Sequence, residues 1–171
     1  QQEARAILRD GALFECLSDS QIDSLVEQSR VSHFGRGERV IREGAEGDSM
    51  FVLLRGAAEV SISRNGTSIS VATLNAGDCF GEMSLLTGER RTATVRAETD
   101  CQVMEISKPV MAEVLRDSPD CLERLSELLA RRKMENEGIL KEAASQAQNE
   151  SKKREYTATF ARSSASRTAP R

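Results

Sequence analysis

The chain of 171 residues is poor in aromatic side chains: it has no Trp, one Tyr and five Phe, so any core must be mainly aliphatic. It has no apolar run near the ~18–20 residues needed to span a bilayer. Its first ten residues are polar and of mixed charge, unlike a signal peptide. Its length is enough for one domain plus an extension. Because the chain does not begin with Met, we expect it to be a fragment of a longer protein.

Residues that commonly bind metals are also scarce. His33 is the single histidine, and the four cysteines, Cys16, Cys79, Cys101 and Cys121, lie far apart without a C-x-x-C pair. We therefore expect no metal site, and we expect these cysteines to be reduced thiols with structural roles. The sequence offers no clear pair of nucleophile and base, so it predicts a protein that is not an enzyme.

Acidic residues outnumber basic ones, 27 to 24, which gives a net charge of −3. The distribution is uneven, because the segment from Glu150 onward has six basic and two acidic residues. The first 149 residues therefore hold 18 basic and 25 acidic residues, a net of −7. Such an acidic body does not favour polyanions over its general surface, so we expect no nucleic-acid partner. Any anion that binds must enter a local site.

Three zones and a tail follow one another along the chain. Apolar residues recur at helical spacing in residues 1–30 and again in residues 108–150, whereas residues 31–107 contain short β-prone stretches separated by turn residues. Asn65-Gly66 between two alternating runs indicates a hairpin. Residues 151–171 form a basic tail rich in Ser, Ala and Arg, which we expect to be disordered or ordered only by a partner.

The middle zone is too short for the crossover helices that a parallel sheet would need. The sequence therefore predicts a mainly β fold, a small antiparallel barrel or jelly roll, with helices at both ends. Ser18 and Gln21 predict a capping box that starts a helix near Asp19. Ser107-Lys-Pro109 and Ser118-Pro119 each predict the start of a further helix, with Pro in its first turn. Gly138 is expected to weaken or end the second of these helices.

The segment from Phe80 to Val95 lies in the β-rich zone but does not alternate. Residues 82–86 indicate one short helical turn whose open N–H groups suit an anion. Gly81 lets a ligand approach the backbone closely, and the small Ser84 keeps that approach open. Arg91 offers a planar, permanently charged fork for phosphate, while Glu82 can hold sugar hydroxyls. An ion pair between these two side chains on a surface is the alternative.

This segment resembles the phosphate-binding cassette of cyclic-nucleotide-binding domains. The resemblance extends over roughly residues 13–135 and is carried by Phe80-Gly81-Glu82, Ser84-Leu85, Gly88, Arg91-Thr92-Ala93-Thr94-Val95 and, upstream, by Gly44-x-x-Gly47-Asp48-x-Met50-Phe51, Gly56 and Gly77-Asp78. It implies an antiparallel jelly-roll β-roll with N-terminal helices, a cassette at residues 80–95 and C-terminal helices that include a lid.

The resemblance also implies a ligand, cAMP or cGMP, and a role for each site residue. Arg91 and the amides near Ser84 would meet the cyclic phosphate, and Glu82 with the Gly81 region would meet the ribose 2′-hydroxyl. Thr92 would bind phosphate or base. Apolar side chains would line the purine site: Ile62, Val71, Leu74 and Met83. Arg132 would close over the base from the last helix, with Arg131 and Lys133 as rivals.

Residues 128–139 and the basic tail with Glu155-Tyr156 resemble the end of bacterial channels that join a mechanosensitive-type pore to such a domain, although the last ten residues depart from that pattern. This implies a cytoplasmic domain of an inner or plasma membrane protein, a homo-oligomer in which ligand binding moves the lid and gates the pore domain or neighbouring subunits. The alternatives are a regulator of another effector and a scaffold that has lost nucleotide binding.

Overall fold

A computed structural model describes residues 2–166 of the chain. Five helices and one 3₁₀ turn are present in this range: α1 (Gln2–Asp10), the 3₁₀ turn (Ala12–Phe14), α2 (Asp19–Gln28), α3 (Glu82–Thr87), α4 (Lys108–Leu115) and α5 (Pro119–Ser166). The predicted capping box is confirmed: the Ser18 side chain accepts from Gln21 N, and the Gln21 side chain accepts from Ser18 N. Ser107 caps α4, which carries Pro109 in its first turn.

Eight strands form two antiparallel four-stranded sheets within the described residues: β1 (Arg30–Phe34), β2 (Arg39–Ile41), β3 (Ser49–Arg55), β4 (Ala57–Arg64), β5 (Thr67–Asn75), β6 (Cys79–Phe80), β7 (Thr94–Ala97) and β8 (Cys101–Ser107). One sheet has the order β1-β8-β3-β6 and the other β2-β7-β4-β5. The predicted antiparallel roll with flanking helices is therefore confirmed.

The predicted hairpin joins β4 to β5, and both of its turn residues adopt positive φ, 54° at Asn65 and 78° at Gly66. This conformation matches the twist of the two strands, which is why the Asn-Gly pair is a reliable signal. The sequence did not reveal β1 and β6. Strand β1 alternates only weakly, and β6 has two residues, too few to show a period.

Strand β3 is the centre of the core because nearly all of it is buried. Its alternate residues Met50, Val52 and Leu54 pack with the N-terminal and C-terminal helices in one cluster. Phe51 and Leu53 point to the opposite side and pack with β4, β7 and β8 inside the roll. The sheet that contains β3 thus separates the helical layer from the interior of the roll, and the site described below opens from that interior.

Two expectations differ from the structure. The first concerns residues 151–171, which were expected to be disordered or ordered only by a partner. Helix α5 instead continues through Gly138 to Ser166, and residues 167–171 lie outside the described residues. A helical Gly costs about 1 kcal/mol, which the neighbouring Leu, Lys, Glu, Gln and Ala residues offset. The second concerns the cysteines: Cys16 and Cys121 form a disulfide with Cα atoms 5.6 Å apart, while Cys79 and Cys101 are free thiols.

The folding of the N-terminal segment against α5 brings those two cysteines together. Their sequence separation of 105 residues hid the pairing, because sequence spacing does not reveal which distant elements become neighbours.

Among residues 2–166, no helix is both long and apolar enough to cross a membrane.

Candidate functional site

A cavity of about 340 Å³ opens beside α3 and extends between the second sheet and the middle of α5. Its wall combines the charged and polar residues of the cassette with apolar strand residues and one face of the long helix. Most of the residues singled out from the sequence line it: Val71, Leu74, Gly81, Glu82, Met83, Ser84, Arg91, Thr92 and Arg132. Residues far apart in the chain therefore share one surface.

Arg91 is held at the inner end of this cavity and is only 7% exposed. Its backbone is fixed to the Gly44–Gly47 loop, since Arg91 N donates to Ala45 O over 2.9 Å. In the guanidinium, Nη1 donates to Ser49 O (2.6 Å) and Gly81 O (3.0 Å), and Nη2 donates to Ser49 Oγ (3.0 Å). Three of its five N–H groups are therefore engaged, which leaves two for a ligand.

The charge of Arg91 is balanced from a distance rather than by direct contact. Burial lowers the pKa of Arg91, while the carboxylates of Glu105 and Asp48 act in the opposite direction. Ser49 connects Arg91 to Glu105, because its hydroxyl accepts from Arg91 Nη2 and donates to Glu105 Oε1 over 2.8 Å. The guanidinium also lies over the Phe51 ring, 5.3 Å from its centroid. Among the described residues Arg91 and Glu82 form no ion pair, so the surface-pair alternative is not what the structure shows.

Two glycines leave the space that the guanidinium occupies. A Cβ at Gly47 would lie 2.5 Å from Arg91 Nη2, and a Cβ at Gly81 would lie 2.7 Å from Arg91 Nη1. Gly81 also adopts a φ of 75° as the residue that precedes α3. The Gly81 requirement is therefore both conformational and steric, whereas the Gly47 requirement is steric.

The first turn of α3 brings two buried polar side chains to the cavity. Ser84 is 1% exposed, and its Oγ has no hydrogen-bond partner among the described residues. A buried hydroxyl without a partner costs about 1–3 kcal/mol, and Ser84 belongs to the cavity wall. No side chain caps the N-terminus of α3, so its first N–H groups have no side-chain acceptor.

Glu82, the first residue of α3, is 4% exposed although it carries a charge. Its Oε1 accepts a hydrogen bond from Asn136 Nδ2 of α5 over 3.1 Å. The cavity wall further includes Glu135, Ile139 and Leu140 from the same helix. Sequence reasoning missed these four residues of α5. The stripe that buries Leu125 and Leu129 continues at helical spacing through Arg132 and Asn136, and extending it would have found them.

The apolar wall differs from the prediction at one position. Ile62 is buried but does not line the cavity, whereas Val60 and Ala72 do. The β4–β5 pairing contains a bulge, because Val60 pairs with Ala72 and Ser61 with Ser70. The extra residue, Val71, breaks the alternation, so Val71 and Ala72 both reach the cavity. Such a bulge cannot be read from the spacing of apolar residues.

The three candidate lid cations take different positions. Arg132 lines the cavity and lies near Cys79. Burial raises the pKa of the Cys79 thiol to about 11, although the Arg132 charge acts to lower it. Lys133 Nζ instead lies 3.5 Å from Glu89, in the loop that follows α3. Arg131 is exposed and is not among the residues of the cavity wall. Arg132 is thus the cation of this cluster that faces the cavity.

The fold and this site define a ligand-binding regulatory module, and comparison with known proteins identifies its family. The chain belongs to the cyclic nucleotide-binding domain family, whose model matches residues 31–118. This finding bears out the resemblance noted in the sequence.

One relative is the cAMP-activated global transcriptional regulator CRP of Salmonella typhimurium, 30% identical over 67% of this chain and 56% of its own. Another is the cGMP-dependent protein kinase of Eimeria tenella, 33% identical over 66% of this chain and 11% of its own. Among solved structures, the regulatory domain of Toxoplasma gondii PKA with cAMP has a TM-score of 0.64 and 25% identity, covering 68% of this chain and 45% of that one. The chain spans about half of the first relative and a tenth of the second.

Proposed function

We propose that this chain binds a cyclic purine nucleotide, cAMP or cGMP, in the cavity between α3 and α5. The proposal rests on two groups that line the same cavity. One is the buried Arg91 guanidinium, which keeps two N–H donors free, and the other is the Ser84 hydroxyl, which has no hydrogen-bond partner among the described residues. A cyclic phosphate supplies one negative charge and several acceptor oxygens, which both groups need in a site removed from water. Family membership supports the same ligand class.

The remaining wall fits the rest of such a ligand. Glu82 accepts the ribose 2′-hydroxyl, and the exposed Thr92 binds phosphate or base. Val71, Leu74 and Met83 pack against the purine, and Arg132 covers the base from α5. This assignment is supported by the presence of these residues on one cavity surface. The acidic surroundings do not oppose it, because the ligand's phosphate enters a local pocket beside the Arg91 guanidinium rather than binding to an extended surface.

The proposed mechanism is a population shift of α5. A ligand that contacts cassette and lid together binds the state with the lid docked more tightly than the open state, and only that difference transmits a signal. Helix α5 suits this role because its first part packs in the core through Leu125 and Leu129, while its middle part contacts the site.

For the effector, we propose an ion channel at the cytoplasmic face of a membrane, with this domain as a regulatory part of a homo-oligomer. The support is the likeness of residues 128–139 and of the following basic segment to channel termini. A regulator of another effector is the second candidate, which the names of the transcription regulator and the kinase favour. Fusing the domain to its native flanking sequence and recording ligand-dependent conductance separates the two.

Hydrogen exchange tests the lid mechanism. Millimolar cAMP or cGMP is expected to raise amide protection in residues 119–136, because docking against the ligand suppresses opening of the helix. Strand β3, Ser49–Arg55, serves as the internal control because it is already buried. Saturated binding with unchanged protection in residues 119–136 would refute the moving lid while leaving nucleotide binding intact.

A further inference from the structure

The Asn136–Glu82 hydrogen bond joins the lid helix to the carboxylate that is proposed to bind ribose. We propose that Asn136 is a positioning residue for ribose recognition, which orients Glu82 so that its second oxygen receives the 2′-hydroxyl. The inference rests on the proposed function and assigns a new role within that site. Asn136 would thereby make the affinity for a 2′-hydroxyl depend on a docked lid.

The first step of the argument concerns the two oxygens of Glu82. Oε1 accepts from Asn136 Nδ2 over 3.1 Å, and no hydrogen bond to Oε2 is present among the described residues. Oε2 is also not enclosed, since it is absent from the set of buried unpartnered atoms, which includes Ser84 Oγ. A carboxylate accepts through both oxygens, so a donor on one oxygen leaves the other for a ligand.

The second step concerns burial. Glu82 is 4% exposed, and a carboxylate in that setting requires donors. An Asn amide donates without adding a charge, so it satisfies one oxygen and leaves the carboxylate negative and able to accept from a hydroxyl. A Lys or Arg at position 136 would instead form an ion pair that competes for both oxygens.

The third step concerns where the donor comes from. Asn136 lies one helical turn after Arg132 on α5, and both residues line the cavity. One face of α5 therefore places both Arg132, which would cover the base, and Asn136, which would orient Glu82 toward the ribose, at the cavity. Opening of the lid removes the Asn136 donor from Glu82, which frees the carboxylate to rotate and weakens its hold on the ribose.

The test is a cycle of two ligands and two forms of the protein, unmodified and Asn136→Leu, measured by calorimetry on the full chain. Asn136→Leu removes the amide at nearly constant size, and 2′-deoxy-cAMP or 2′-deoxy-cGMP removes the hydroxyl. Asn136→Leu is expected to weaken the ribonucleotide by roughly 3- to 15-fold and to change the affinity for the 2′-deoxy nucleotide by less than about 2-fold, since no hydroxyl remains to be positioned.

Asn149→Leu is the matched control, an exposed Asn on the same helix outside the cavity wall, and it is expected to leave both affinities unchanged. Asn136→Asp, which replaces the donor with an acceptor, is expected to weaken the ribonucleotide at least as much as Asn136→Leu. Thermal unfolding of each variant verifies the fold.

An equal loss for both nucleotides with Asn136→Leu would reduce Asn136 to a general lid contact and overturn the inference. Unchanged or tighter binding of the ribonucleotide would also overturn it, the latter by showing that the amide competes with ribose. Failure of the unmodified chain to bind either ribonucleotide is a different result, because it would overturn the proposed function itself.

Discussion

At the scale of single residues, the site depends on space as much as on charge. Arg91 reaches the cavity because Gly47 and Gly81 leave its guanidinium room, and Ser49 and Gly81 carbonyls hold it there. The position of the cation is thus set by the space at two glycines and by backbone carbonyl groups as well as by its charge. Substitutions at these positions should affect ligand binding through the arginine.

Gly47→Ala tests this dependence. Gly47 does not adopt positive φ, so alanine fits the backbone, but its Cβ would lie 2.5 Å from Arg91 Nη2 and displace the guanidinium. Crowding of this kind costs about 1–3 kcal/mol, and we expect a comparable loss of nucleotide affinity by fluorescence or calorimetric titration. Gly11→Ala is the control, because its nearest contact would be an ordinary 3.5 Å. Equal affinity of the Gly47 variant and the unmodified chain would contradict the steric account.

Sequence reasoning at this scale could predict the cassette residues that line the cavity, because they cluster within a few positions of one another. It could not identify Asn136, Glu135 or Ser49, which contribute to the site from elements distant in sequence. Ile62, which was predicted for the purine site, is buried outside the cavity wall, whereas the bulge at Val71 brings both Val71 and Ala72 to the cavity.

At the scale of elements, the disulfide ties the N-terminal helical segment to the first turn of α5. Cys16 lies between the 3₁₀ turn and α2, and Cys121 is buried in the cluster that also holds Leu13, Phe14 and Leu125. The base of the lid is therefore fixed to the N-terminal helices, while the part of α5 that lines the cavity lies beyond the link. Movement of the lid would then occur beyond residue 121.

Reduction of this bond is expected to destabilise the domain. A link between residues 105 apart restricts the unfolded chain, and its loss should lower the free energy of unfolding by about 2–5 kcal/mol. Urea unfolding with and without reductant measures the change. The double variant Cys16→Ser with Cys121→Ser should be insensitive to reductant. Four titratable thiols in the denatured, unreduced chain would show that the bond does not form.

Local signals predicted most of the elements, and tertiary structure decided the rest. The Ser18–Gln21 box, Pro109 and Asn65-Gly66 each act over a few residues, so the sequence contains the whole cause. Strand β6 is defined by pairing with β3, and its two residues have no pattern of their own. The continuation of α5 past Gly138 depends on the sum of many weak helix preferences, which a single glycine did not outweigh.

At the scale of the whole molecule, two buried clusters on either side of one sheet separate support from binding. The helical cluster holds α1, α2, α4 and the start of α5, and the interior of the roll carries the wall of the cavity. Helix α5 reaches both regions, which makes it the element able to connect ligand and effector. The fold and its family were predictable from the cassette and its flanking glycines.

The most direct test of the account is a calorimetric titration of cAMP and cGMP into the unmodified chain, Arg91→Ala and Glu82→Ala. We expect saturable binding at one site per chain, a loss of about 2–5 kcal/mol for Arg91→Ala because a buried phosphate is left unpaired, and a smaller loss of roughly 1–3 kcal/mol for Glu82→Ala. Absence of binding by the unmodified chain to either nucleotide would contradict the account and leave a scaffold that retains the fold, and equal affinities of the two variants would contradict the ordering of phosphate over ribose.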